Sequence, residues 1–195
     1  TPVMILADGV IGQMMEKVQL PPYQKRLTND EIREKYPWAT LGKPANRKPN
    51  VITSLELDSA LMEQRNLNLQ KKYKEIEKNE VRYEEIACED AEYLLVAFGS
   101  SARICQKTVE LAREKGIKLG LFRPITLFPF PTNEIYAYTN TVKAILTVEL
   151  NAGQMVEDVR LAVNGTIPVE HYGRMGGIVP TAEEILEVTE KLIAK

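Results

Sequence analysis

Apolar residues gather into short, unbroken runs in the second half of the chain and thin out in the first. Tyr93 to Phe98, Ile117 to Phe122 and Lys143 to Leu150 are runs of this kind. A strand covered on one face alternates with period two, whereas an unbroken apolar run of strand length reads as a strand buried on both faces. Between these runs the period lengthens. A helix opens after Gly99-Ser100-Ser101 and runs through Lys115, with Cys105, Val109 and Ala112 on one face and Gly116 as its C-cap. Glu134 to Asn140 reads as a short helix, and Met155, Val156, Val159 and Val163 mark another. Ile167 to His171 reads as a short fourth strand. Thr181-Ala182-Glu183-Glu184 is a capping box that opens a last helix with Ile185, Val188 and Leu192 inward. Strand and helix alternate at βα spacing. The pattern predicts an α/β domain over residues 86–195, a three-layer αβα sandwich with a mainly parallel sheet, with Arg82 to Ala87 as an added edge strand.

The first half reads differently. Pro2 to Ala7 is a core-type strand, Asp8-Gly9 a turn, and Gly12 to Val18 a short helix ended by Pro21-Pro22. From Tyr23 to Val51 periodicity fails, and Pro37, Pro44, Pro49 and Gly42 mark a long irregular connection. Trp38, beside Tyr36, reads as an anchor pinning that loop. Ser54 to about Asn79 is one long helix with a narrow stripe of Met62, Leu69, Tyr73 and Ile76, and its Lys/Glu series is a solvated face. The predicted organisation is residues 1–20 as the end of a preceding domain, 21–53 as an irregular linker, 54–85 as the long helix with its connection, and 86–195 as the α/β domain. A core-type strand at Thr1, with no Met and nothing in front of it, reads as the start of a piece cut from a longer protein.

Composition narrows the function classes. With 195 residues, 44% of them hydrophobic, 27% charged and a net charge of −2, the chain fits a soluble globular protein with no basic nucleic-acid groove. No apolar run approaches the roughly 20 residues that span a bilayer, and no signal peptide is visible, so a cytoplasmic location is expected. Cys88 and Cys105 lie far apart with no Cys-x-x-Cys, which argues against a disulfide framework, a structural zinc or an iron–sulfur cluster held by this chain.

Candidate chemistry sits at strand ends, where open α/β sheets place ligands. The run Ala144 to Glu149 enters a turn, Asn151-Ala152-Gly153-Gln154, and then a helix whose first N–H groups can meet an anion. Ser100 and Ser101 follow Gly99 at a second strand end, where helix capping alone explains a serine. Arg123 leaves a third strand into the stiff loop Pro124-Ile125-Thr126-Leu127-Phe128-Pro129-Phe130-Pro131, which suits a rigid interface, with Arg123 as an anion clamp. His171 is the single histidine and reads as structural. Gly12-Gln13-Met14-Met15-Glu16-Lys17-Val18 echoes Gly153-Gln154-Met155-Val156-Glu157-Asp158-Val159, two turns of one design rather than a repeat. There is no Ser/His/Asp set, no Gly-x-Gly-x-x-Gly, no Walker sequence and no Gly-Asp-Gly run. On its residues alone the chain is an α/β domain with no evident acid–base, nucleophile or metal set.

Four stretches in order carry a resemblance. They are Asp8-Gly9, Gly12-Gln13-Met14-Met15-Glu16, Arg123 to Pro131, and Glu149-Leu150-Asn151-Ala152-Gly153-Gln154-Met155. Together they resemble the alpha subunit of 2-oxoacid:ferredoxin oxidoreductases, with the 2-ketoisovalerate subgroup first and the 2-oxoglutarate subgroup second. The resemblance implies that residues 1–20 end a pyrimidine-binding domain and that residues 86–195 form a domain like the C-terminal domain of transketolase. It implies a reaction in which a 2-oxoacid and coenzyme A give acyl-CoA, carbon dioxide and reduced ferredoxin. Thiamine diphosphate, Mg2+ and [4Fe-4S] clusters would lie on other domains or subunits, with none bound by this piece alone. The implied partners are a thiamine-diphosphate-binding beta subunit, a gamma subunit, a ferredoxin-like delta subunit, coenzyme A and, indirectly, ferredoxin. No residue of this chain is expected to be catalytic or to bind metal, and the piece alone is expected to be inactive. Ser100, Ser101, Arg123, Asn151, Gly153 and Gln154 are the positions expected near coenzyme A or substrate. The alternatives are a non-catalytic assembly module and a self-standing nucleotide-binding domain; the second is weakened by the absence of a phosphate-loop pattern.

Overall fold

A computed structural model describes residues 2–15, 17–42, 48–51 and 53–194; Thr1, Glu16 and Pro44, which enter the readings above, lie outside the described residues. The chain divides into two compact units, Met15–Leu69 and the remainder.

The larger unit is built on strands β1 (Tyr83–Ile86), β2 (Tyr93–Val96), β3 (Leu119–Pro124), β4 (Ala144–Glu149) and β5 (Val169–Gly173). They form one sheet in the order β1-β3-β2-β4-β5. β1 runs antiparallel to β3, while β2/β3, β2/β4 and β4/β5 are parallel pairs. Helices α4 (Gly99–Glu114), α5 (Thr132–Ala137), α6 (Met155–Val163) and α7 (Ala182–Ile193) follow strands in turn. α4 and α7 cover one face, where Cys105, Val109, Ile185 and Leu186 pack on Leu95, Leu121, Leu146 and Val148. α5 and α6 cover the other, where Ile135, Met155 and Val159 pack on Leu94, Val96, Phe122 and Ile145. Neighbouring residues of β2 thus go to opposite cores, and this is why its sequence is an unbroken apolar run. The predicted three-layer sandwich, the edge strand and the capping box at Thr181 are all present.

β3 is tightly packed at Gly120. A Cβ there would lie 3.0 Å from the Ala87 carbonyl, 3.0 Å from Ala91 Cβ and 3.1 Å from Cys88 Sγ. Cys88 and Cys105 are free and buried in different cores, and burial pushes both thiols up. The loop after β3 is half core and half surface: Leu127 and Phe130 pack on the α5/α6 core, while Ile125 and Phe128 are exposed.

The N-terminal expectations need correcting. Pro2 to Ala7 is extended but joins no sheet, and Val3, Met4 and Ile5 are exposed. No described strand lies beside it, so apolar composition alone does not make it core. The helix expected at Gly12 to Val18 is instead α1, Gly9–Gln13, because the Asp8 carboxylate accepts the Ile11 N–H at 2.9 Å and starts the helix earlier.

In the smaller unit no described side chain is buried. The stretch read as irregular holds α2 (Asn29–Lys35), opened by a capping box of Thr28 and Glu31. Trp38 is no buried anchor: it is 62% exposed, with its ring 5.7 Å from that of Tyr36. The long helix, α3 (Ser59–Asn79), begins later than the apolar pattern implied, because Asp58 Oδ1 accepts the N–H groups of Ala60 and Leu61. It crosses from the smaller unit into the larger, where Tyr73 meets Phe128 edge-on.

Candidate functional site

The strand order fixes where a ligand crevice can open. β2 connects through α4 to β3 on one side, and β4 connects through α6 to β5 on the other. The two chains leave adjacent strands in opposite directions, so the C-terminal ends of β2 and β4 separate. A groove of about 260 Å³ lies there. Phe98, Gly99, Ser100 and Ser101 line it from the β2 side, Glu149, Leu150 and Asn151 from the β4 side, and Leu6, Ala7, Asp8 and Ile11 from the N-terminal segment.

Glu149 ends β4 with its side chain sealed from solvent. Its carboxylate accepts the backbone N–H groups of Gln154, Met155 (2.9 Å) and Val156 (3.0 Å), together with Asn151 Nδ2 (3.1 Å). These are the donors a helix leaves open at its N-terminus. The start of α6, expected to face an anion from outside, is therefore filled by the chain's own anion. Asn151 tightens the turn, accepting the Gly153 N–H at 2.7 Å. His171 packs behind it, with Nδ1 3.3 Å from Thr147 Oγ1 and 3.5 Å from Glu149 Oε1. Its Nε2 is buried without a partner among the described residues. The ring lies between two glycines. At Gly153, where φ is +111°, a Cβ would stand 3.1 Å from Val156 Cγ1; at Gly173 it would strike the Asn151 carbonyl and His171 Nε2.

At the start of α4 the facing acid is Asp8 of the N-terminal segment rather than a residue of its own strand. The N-cap of α4 is Phe98, which makes no side-chain cap bond. Ser100 and Ser101, read as possible caps, instead lie inside the first turn and are buried. The Ser100 hydroxyl is sealed from solvent, and the Asp8 carboxylate lies near it. Asp8 faces this helix start. The Ile11 N–H, then the nearby Ser100 hydroxyl, hold the Asp8 carboxyl below its usual range.

Of the expected site residues, Ser100, Ser101 and Asn151 meet in the groove. Gly153 and Gln154 direct their N–H groups to Asn151 and Glu149. Arg123 is elsewhere: it lies on β3, opposite Glu84 of β1, and pairs with that carboxylate at 2.8 Å. Asp8 and Glu149 were not singled out as site residues. The signal for both was an acid placed just before a glycine-containing turn into a helix.

The groove carries carboxylates and is lined by no Lys, Arg or His. Among the described residues, no group of three or more His, Cys, Asp or Glu could hold a metal ion. This donor set does not fit a metal-bound diphosphate. No described helix is long and apolar enough to cross a membrane.

A mainly parallel open sheet with a groove at its switch point defines an α/β domain of the open-sheet class. Residues 91–185 match the model of the pyruvate:ferredoxin oxidoreductase core domain II family. The chain is 43% identical, over 95% of its length, to the ketoisovalerate oxidoreductase subunit VorB of Methanothermobacter thermautotrophicus, and spans 51% of that relative. It is thus homologous to subunits of 2-oxoacid oxidoreductases, and it spans about half the length of the relatives it matches. The fold is also that of part of the 2-oxoglutarate:ferredoxin oxidoreductase of Magnetococcus marinus, with a TM-score of 0.63, 21% identity, 71% of this chain and 24% of the other. A split-gene transketolase superposes with a TM-score of 0.50 and 17% identity over 58% of this chain and 41% of the other. The expected transketolase-like architecture is present.

Proposed function

We propose that this chain is part of a thiamine-diphosphate-dependent 2-oxoacid:ferredoxin oxidoreductase acting on 2-ketoisovalerate. The observation that carries the reading is the 43% identity to a ketoisovalerate oxidoreductase subunit across 95% of the chain. In the reaction the bond between the carboxylate and the keto carbon breaks. Carbon dioxide leaves, the keto carbon is oxidised and joined to the sulfur of coenzyme A, the thiol proton is released, and ferredoxin takes the electrons. The α/β domain would serve as a docking body, with the Ser100–Asn151 groove at the edge of the path taken by substrate or coenzyme A. Thiamine diphosphate, its metal and the clusters would be carried by other domains or subunits. The groove lining, which among the described residues has no Lys, Arg or His to meet a diphosphate, supports that division. Residues 1–20 would close a neighbouring domain, which gives the exposed apolar stretch Val3 to Leu6 a place to pack.

The test is to purify the native assembly through a tag on this chain and measure dye or ferredoxin reduction. Reduction that requires both 2-ketoisovalerate and coenzyme A is the expected result. An assembly reduced equally well without a 2-oxoacid would overturn the reading. One active only with 2-oxoglutarate would keep the reaction and replace the substrate.

A further inference from the structure

Among the described residues, two other than glycine hold a positive φ, Ala87 and Asn164. Asn164 closes α6. It is the C-cap, at φ 51° and ψ 38°, and its N–H returns to the Arg160 carbonyl at 3.1 Å. After glycine, Asn is the residue best suited to this left-handed position. Gly165 follows at φ +73°, so the reversal from α6 towards β5 asks for Asn and then Gly. Both residues are exposed, and they are the only Asn-Gly pair in the sequence. Such a pair is chemically labile, because a glycine nitrogen has no adjoining side chain to shield it from the preceding carboxamide.

We propose that Asn164 is a site of spontaneous deamidation, gated by the end of α6. The Gly165 backbone nitrogen attacks Asn164 Cγ, and the new C–N bond closes a cyclic succinimide. The Cγ–Nδ2 bond breaks, the Gly165 N–H proton passes through water to the departing nitrogen, and ammonia leaves. A water molecule then opens the ring at either carbonyl, leaving aspartate or isoaspartate. Ring closure requires the Gly165 nitrogen to eclipse Asn164 Cβ about the Cα–C bond. At ψ 38° the two stand nearly anti, so the folded turn holds the pair out of reach. Val163 fixes that turn, its carbonyl accepting the Thr166 N–H at 3.1 Å and the Thr166 hydroxyl at 2.6 Å. Reaction therefore waits on local opening. Its product acts on the helix that Glu149 caps at the other end. A carboxylate is favourable at the N-terminus of α6 and unfavourable at its C-terminus. Isoaspartate also adds a backbone methylene between α6 and β5, just before Pro168, whose carbonyl accepts the Ile145 N–H at 3.0 Å.

The full chain is held at mildly alkaline pH, folded or unfolded in guanidinium, and peptide mass spectrometry follows conversion at Asn164. Conversion is expected to be at least about ten-fold slower in the folded chain. Thr166→Ala removes the hydroxyl that fixes the turn. It is expected to speed folded-state conversion about five-fold and to leave the unfolded rate unchanged. Asn164→Asp, which sets the new charge directly, is expected to speed amide exchange at Ala162 and Val163 about three-fold. Equal rates in the folded and unfolded chain overturn the gate, and so does a Thr166→Ala rate equal to the parent's. No conversion at Asn164 even in the unfolded chain removes the site, and unchanged exchange in Asn164→Asp removes its effect on α6.

Discussion

Replacing Glu149 by Gln keeps the side chain's size and exchanges one acceptor oxygen for an amide donor. In the parent, Oε2 receives Asn151 Nδ2 and the Met155 N–H, Oε1 receives the Val156 N–H, and the Gln154 N–H is shared. The best Gln placement keeps its oxygen at the Oε2 position and sets its amide against the Val156 N–H. One buried backbone donor is then left unsatisfied, at about 1–3 kcal/mol. The remaining bonds lose their charge assistance and the α6 dipole loses its counter-charge, about another 1–2 kcal/mol. Relief from burying a carboxylate offsets part of this. The net expectation is a loss of about 2–4 kcal/mol. For a chain of this size it lowers Tm by roughly 4–16 °C. Urea unfolding followed by far-ultraviolet circular dichroism measures the loss, and amide hydrogen exchange at Gln154, Met155 and Val156 locates it. A loss under about 0.5 kcal/mol, or unchanged exchange at Val156, would refute the self-capping account of this turn.

Two further outcomes follow from other parts of the larger unit. Gly120→Ala places a methyl group against Ala87, Ala91 and Cys88 at 3.0–3.1 Å, and overpacking of this kind is expected to cost about 1–3 kcal/mol in urea unfolding, with no loss indicating that β3 has room there. The Asp8 carboxyl is held below its usual range, so its contribution is present above the unfolded-state value and lost as pH falls through the lowered folded-state value; the Ile11 and Ser100 amide resonances should move with a midpoint below 3.8, the ordinary value for an aspartate, and a midpoint at or above it would contradict the contact.

The doubly buried strands were legible because a residue pattern imposed by two cores leaves no alternation, as in Leu94, Leu95 and Val96. α4, α6 and α7 were legible from their apolar faces, and α7 also from its Thr181 cap. Pro2 to Ala7 misled because apolar composition states what a segment can bury but not whether a neighbour exists to bury it. α2 carried a legible signal, Thr28 with Glu31, that the surrounding prolines obscured. Arg123 shows the limit of strand-end reasoning. A strand end faces a crevice only if its strand borders the switch point, and β3 lies instead between β1 and β2. The groove itself depends on Asp8, Ser100 and Asn151 meeting across the fold, a juxtaposition that local pattern does not encode. The helix start at Gly153 looked open because the sequence does not say that Glu149 folds back to occupy it.

We propose that this chain serves a branched-chain 2-oxoacid oxidoreductase. That proposal is tested most directly by the ratio of kcat/KM for 2-ketoisovalerate to that for 2-oxoglutarate, measured on the purified native assembly with coenzyme A and ferredoxin. The account predicts a ratio well above one. A ratio below one, or no coenzyme A-dependent turnover of either acid, would contradict it.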